Sequence, residues 1–130
     1  MIKWEMTVSE QPLIVCVDDD QAVCEAMLGL LNALGFAAET FLSAEALLQS
    51  APLDDIACLI TDVQLGGMSG LQLQTRLIEL GYRIPIIMIT AFPDERIRNQ
   101  ALSAGAVCFL SKPFLKADLL SCIHSALARG

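Results

Sequence analysis

Four places in this 130-residue chain set a reactive side chain at or within two residues of the end of a short apolar run. Asp18-Asp19-Asp20 follows Leu13-Ile14-Val15-Cys16-Val17, and Asp62 follows Ile56-Ala57-Cys58-Leu59-Ile60-Thr61. Thr90 follows Ile84–Ile89, and Lys112 comes two residues after Ala106–Leu110. Three or more carboxylates converging in a partly buried site would repel one another strongly, so protons or a cation must relieve them. A hard cation such as Mg²⁺ takes oxygen ligands, typically waters with one or two carboxylates and a phosphate. A lysine and a hydroxyl beside it can neutralise and hydrogen-bond further oxygens. Such a set suits attack of a carboxylate on phosphorus to give an aspartyl phosphate, with the metal offsetting charge on the phosphoryl group. Asp62, alone at the end of its run and followed by a loop with two glycines, is the candidate nucleophile.

The elements that must position these groups read as alternating strands and helices. Short apolar runs bounded by turn signals are strands buried on both faces, as inside a parallel sheet. Leu13–Val17 is the first strand, and a helix follows with Val23, Met27, Leu30, Leu31 and Leu34 on one face before Gly35 caps it. Phe36–Phe41, broken by Glu39, suits a sheet edge; Ser43 caps a short helix through Leu48, and Pro52–Asp55 is a turn. After the Asp62 strand, Ser69-Gly70-Leu71-Gln72 has the form of a capping box, opening a helix lined by Leu73, Leu77 and Leu80. Ile84–Ile89 is the fourth strand, Pro93 opens the fourth helix to about Ala104, and Ala106–Leu110 is the fifth strand. The last helix carries Leu119, Leu120, Ile123 and Leu127 inward, and residues 1 to 12 read as a tail ahead of one domain over 13 to 130. The expected fold is α/β, a single doubly wound five-stranded parallel sheet with five helices, flavodoxin-like. Strand order 2-1-3-4-5 puts the first and third strands side by side, with the carboxyl ends of all five on one edge.

Composition narrows the class. A hydrophobic fraction of 55% with 18% charged residues fits a compact, doubly covered sheet and excludes disorder. Net charge −7 with scattered basic residues argues against direct nucleic-acid contact, which needs clustered Lys and Arg. The longest apolar run contains a proline and falls short of the roughly 20 residues of a membrane span, and the N-terminus has no secretory core; the expected location is cytoplasmic. Five cysteines without C-x-x-C spacing point away from zinc or redox chemistry, and all five are expected as free thiols.

Taken together, Val17-Asp18-Asp19-Asp20, the stretch Thr61-Asp62-Val63-Gln64-Leu65-Gly66-Gly67-Met68-Ser69-Gly70, Ile89-Thr90-Ala91 and Phe109-Leu110-Ser111-Lys112-Pro113-Phe114 resemble the response-regulator receiver domain of two-component signalling, over about Leu13 to Leu127. Ser43-Ala44-Glu45 and Gly105-Ala106-Val107 look closest to the subtype usually paired with LuxR-like DNA-binding domains; with nothing after residue 130, no output domain is expected. The resemblance implies a phosphoacceptor and not a conventional enzyme: Asp62 takes a phosphoryl group from a sensor histidine kinase or a phosphotransfer protein. It implies Mg²⁺ placed by Asp18 and Asp19, with Asp62 and the Gln64 carbonyl as further ligands. It implies that Thr90 and Lys112 contact phosphoryl oxygens, that Phe109 is an aromatic switch coupled to Thr90, and that Lys112-Pro113 is cis. Gly66 stands where the family usually has proline, which loosens the loop without removing a ligand.

Other readings were weighed on the same residues. Asp20 suits a helix cap, and His124 lies on a polar face of the last helix. A phosphatase with an aspartyl nucleophile would want D-x-D on one strand, and Asp18-Asp19-Asp20-Gln21 would repel the phosphate of a flavin nucleotide. A receiver-like binding module that is never phosphorylated would have lost Asp62, Thr90 or Lys112; all three are present. Two finer expectations follow. Switching alters the face of the fourth helix and fifth strand, where Ile97, Arg98 and Ala101 could pack with a partner, a homodimer included. Gln64 and Phe92 tune dephosphorylation, with the Phe92 ring keeping water out.

Overall fold

The apolar runs become strands because their side chains are covered on both faces of one sheet. The computed structural model describes residues 11 to 129, and the expected tail falls almost wholly outside them. Strands β1 (Leu13–Val17), β2 (Ala37–Phe41), β3 (Ile56–Asp62), β4 (Ile86–Thr90) and β5 (Cys108–Ser111) are all parallel, in the order β2-β1-β3-β4-β5. They alternate with α1 (Gln21–Ala33), α2 (Ala44–Ser50), α3 (Gly70–Glu79), α4 (Glu95–Ser103) and α5 (Lys116–Arg129). The fold expected from the sequence is the one observed.

Burial follows the order. The three central strands are buried almost throughout, whereas β2 and β5 at the edges are half-buried. Alternate side chains of each strand serve two cores. Val15, Val17, Leu59 and Met88 pack with Leu47, Leu73 and Leu77 of α2 and α3. Ile14, Ile60, Ile87 and Ile89 pack with Met27, Leu31, Leu119 and Ile123 of α1 and α5. Each fully buried aliphatic of this kind contributes roughly 1.5–3 kcal/mol.

Local chemistry sets the element ends. Asp20 caps α1 through the Ala22 and Val23 amides, Ser43 caps α2 through Ala46, and the Ser69–Gln72 box caps α3 in both directions. Gly35 and Gly81 take the positive φ that ends α1 and α3. Several boundaries differ from the sequence reading. Helix α4 starts at Glu95 and not at Pro93, because the Asp94 carboxylate accepts from the Arg96 and Ile97 amides and so fixes the first turn. Strand β4 begins after Pro85, and β5 begins at Cys108. Leu80 lies at the C-cap of α3, 46% exposed, instead of on its inner face. In α5 the inward positions are Leu119, Cys122, Ile123 and Ala126, with Leu120 and Leu127 only half-buried.

The cysteines also differ. Cys108 on β5 and Cys122 on α5 form a disulfide, with Cα atoms 6.0 Å apart. The expectation of five free thiols considered only pairing between neighbouring strands, and the partner lies on the helix packed over β5. Cys16, Cys24 and Cys58 are free and buried. Burial pushes the Cys58 thiol up to about 12 and, helped by the Cys24 and Asp18 charges, raises Cys16 as well, so both stay protonated as small hydrophobes.

Candidate functional site: a carboxylate pair bridged by Lys112

Register brings the four reactive stretches to one edge. Val17 pairs with Thr61, Asp62 with Ile89, and Thr90 with Ser111. The ladder continues one step past the strands: Asp18 N–H donates to Phe41 O, Val63 N–H to Ile89 O, and Lys112 N–H to Thr90 O. Because β3 lies between β1 and β4, Asp62 has the acidic stretch on one side and Thr90 on the other.

The carboxylates of Asp18 and Asp62 are joined by one ammonium. Lys112 Nζ donates to Asp18 Oδ2 at 3.0 Å and to Asp62 Oδ2 at 2.7 Å. The remaining oxygens are also held: Asp18 Oδ1 accepts from Asp20 N–H, and Asp62 Oδ1 accepts from Gln64 N–H at 2.8 Å. Asp18 is 4% exposed and Asp62 9%. Partial burial opposes the charge on Lys112, but the hydrogen bonds and attraction of Asp62 and Asp18 outweigh it and raise its pKa above the ordinary lysine value. A hollow of about 540 Å³ opens beside the trio, walled by Val23, Met27, Ile89, Pro113 and Phe114. Such apolar walls strengthen charge interactions at the site.

The other expected residues distribute as follows. Thr90 is buried, and its Oγ1 accepts from Phe92 N–H at 3.0 Å. Phe109 is half-buried, in register with Met88 and packed against the α3–α4 side of the core, the same face as Thr90. The Lys112-Pro113 peptide is cis. Asp19 and Gln64 are exposed at the edge. The Phe92 ring is 68% exposed. Of the face expected to meet a partner, Arg98 is exposed and Ile97 half-buried, but Ala101 is fully buried, its carbonyl accepting from the buried Gln74 side chain. Ala101 therefore belongs to the α3–α4 packing and not to an outer surface.

The expectation of three or more converging carboxylates needs correction. Asp20 turns back to cap α1, and among the described residues no three Asp, Glu, His or Cys side chains are gathered to hold a metal. The donors at this edge are two buried carboxylates, the exposed Asp19 carboxylate and the Gln64 carbonyl. Mg²⁺ usually takes one or two carboxylates together with waters, which two of these three carboxylates can supply.

Two contributors were missed. Gly70 opens α3 against the backbone at the end of β3: a Cβ here would lie against the Asp62 carbonyl oxygen and 3.1 Å from Val63 Cα. Glycine at a first helical position, where propensity disfavours it, was the available signal. Gly70→Ala should cost about 1–3 kcal/mol by overpacking, read as a lower melting temperature; an unchanged transition would show that α3 can move away freely. The second is Glu45, whose carboxylate accepts from Met68 N–H in the loop after Asp62.

Comparison with known proteins accords with this geometry. Residues 14–124 match the model of the response regulator receiver domain. The response regulator protein TmoT of Ectopseudomonas mendocina is 42% identical over 118 residues, 91% of this chain and 54% of that protein. Among solved structures, the response regulator StyR superposes with TM-score 0.86 at 39% identity, over 92% of this chain and 60% of that one. FixJ-N superposes with TM-score 0.83 at 34% identity, over 93% and 97%. The chain spans about half the length of the curated relatives it matches. With the family model spanning most of the chain and a fold shared with these response regulators, this chain belongs to the response-regulator receiver domains.

Proposed function

We propose that this chain is a phosphoacceptor receiver: Asp62 takes a phosphoryl group from a sensor histidine kinase or a phosphotransfer protein, with Mg²⁺, and so changes a partner-binding face. The observation that carries the reading is the Lys112 bridge to Asp18 and Asp62 at the carboxyl edge of the sheet. In the transfer, an Asp62 carboxylate oxygen forms a bond to phosphorus as the bond to the donor's nitrogen or oxygen breaks and the leaving group carries off its electron pair. Water later attacks the aspartyl phosphate, returning the carboxylate and inorganic phosphate.

The side chains divide the work. Lys112, already at the carboxylates, can follow one of them to a phosphoryl oxygen. Thr90 accepts from Phe92 N–H, which leaves its hydroxyl proton to donate to another. Asp18, Asp19, Asp62 and the Gln64 carbonyl would hold Mg²⁺, which supplies charge neutralisation when bound. Phe109, on the Thr90 face of β5, would relay movement of that hydroxyl toward α4, where Ile97 and Arg98 remain as contacts for a partner. Gln64 and Phe92 are the residues assigned to the lifetime of the phosphoryl group. The exposed Phe92 ring does not line the hollow beside Asp62.

Incubation with acetyl phosphate and Mg²⁺ should add one phosphoryl group, read by intact mass. Folded protein that gains none would refute the proposal in favour of a receiver acting only as a binding module. Mg²⁺ alone should raise the melting temperature through preferential binding to the folded state, and Asp19→Ala should remove most of that rise. An equal rise in the variant would place the ion elsewhere.

A further inference from the structure

The base of the loop over residues 63 to 69 is closed by Gly70 N–H donating to Val63 O, and within the loop two backbone amides are held by carboxylates. Near its start, Gln64 N–H donates to Asp62 Oδ1. Near its end, Met68 N–H donates to Glu45 Oε2 at 2.9 Å, across 23 residues of sequence. The same oxygen lies over Gly67, which has φ +79°, and a Cβ there would stand 2.7 Å from it. The positive φ favours glycine at this position, and a side chain here would have to displace the Glu45 carboxylate. The Met68 amide, followed by the Glu45 backbone amide, holds the Glu45 carboxyl below its ordinary pKa, so it is a charged acceptor at neutral pH.

The post carrying Glu45 is firm. Ser43 caps α2, and Ala44 and Leu47 on either side of Glu45 are fully buried. The loop itself is less so: a Cβ placed on Gly66 would meet nothing within 4 Å, and Gln64 is exposed. Between these two contacts the loop carries the Gln64 backbone, whose amide donates to Asp62 Oδ1.

We propose that Glu45 is a positioning residue for the phosphorylation site, fixing the loop from outside so that Gln64 holds Asp62 in its attacking orientation. The inference rests on the phosphoacceptor reading given above. It also assigns the loop a side-chain anchor at the place where Gly66 gives it none.

Two measurements on wild type, Glu45→Ala and Glu45→Gln test it. The first is amide hydrogen exchange at Met68 and Gln64, without Mg²⁺ or donor. Glu45→Ala should speed exchange at Met68 roughly tenfold, in keeping with loss of a hydrogen bond to a charged group, and should speed Gln64 as well. Glu45→Gln, whose amide oxygen can still accept, should recover most of the protection. The second is the Mg²⁺ concentration giving half-maximal phosphorylation by acetyl phosphate, which Glu45→Ala should raise severalfold and Glu45→Gln much less. Gln64 exchange unchanged in Glu45→Ala, or an unchanged Mg²⁺ requirement, would overturn the proposal, as would a Gln variant no better than Ala. Should the wild type accept no phosphoryl group, the phosphoacceptor reading fails by itself. The Gln64 exchange then still decides whether Glu45 aligns Asp62.

Discussion

Asp62→Asn is expected to accept no phosphoryl group under conditions in which the wild type accepts one. The amide lacks the anionic oxygen that must bond to phosphorus, so the loss should be complete and not graded. Four acids lie at or near this edge, and the sheet order separates their roles. Asp20 is committed to the α1 cap, Asp19 is exposed, and Asp18 ends β1, whose neighbours are β2 and β3. Asp62 alone ends the strand flanked by both β1 and β4, which gives it Lys112 and Thr90 as neighbours together. The substitution should leave the fold intact, because the asparagine oxygen can still accept from Gln64 N–H. Intact mass after incubation with acetyl phosphate and Mg²⁺ reads the result, with the melting temperature as control. Phosphoryl incorporation that survives the substitution would move the acceptor to another side chain.

Lys112→Met should slow phosphorylation by about two to three orders of magnitude, the range seen when one preorganised charge donor is removed from a reacting centre. It should also lower stability, because Asp18 and Asp62 then face each other with no cation between them. Removing one partner from a fully buried ion pair costs roughly 3–5 kcal/mol, but the Lys112 side chain is 27% exposed. Solvent screening reduces the expected loss to about 1–2 kcal/mol. Since the folded protein raises the lysine pKa, this stabilisation is fully present below the ordinary lysine value and is lost as pH rises through the folded one. Urea unfolding of wild type and variant should therefore differ at neutral pH and converge in alkali. Adding Asp18→Asn to Lys112→Met should recover stability but not phosphorylation. Equal stability of wild type and Lys112→Met at neutral pH would mean that the carboxylate repulsion is relieved by another route.

The chain's amino acids by themselves determined the strands and the identity of the edge residues; crossover handedness narrowed the strand order to a few doubly wound arrangements, and 2-1-3-4-5 rested partly on the family resemblance. A strand covered on both faces must be apolar along its whole length, so β1, β3 and β4 stood out, with Asp18, Asp62 and Thr90 at or just past their carboxyl ends. Caps were equally legible, because Ser43 and the Ser69–Gln72 box act within a few residues of themselves. Two local signals compete at the start of α4: Pro93 suits a first turn, but the Asp94 side chain accepts from the Arg96 and Ile97 amides and sets the start one residue after itself.

Tertiary structure alone decided the contacts between segments far apart in sequence. Lys112 reaches Asp62 across 50 residues and Glu45 reaches Met68 across 23. Cys122 meets Cys108 from the helix above it, and Ala101 is sealed under Gln74. None of these pairings leaves a periodic trace, because periodicity records which face of an element is buried and not what lies opposite. The partner is chosen by how the elements pack once the sheet order is set.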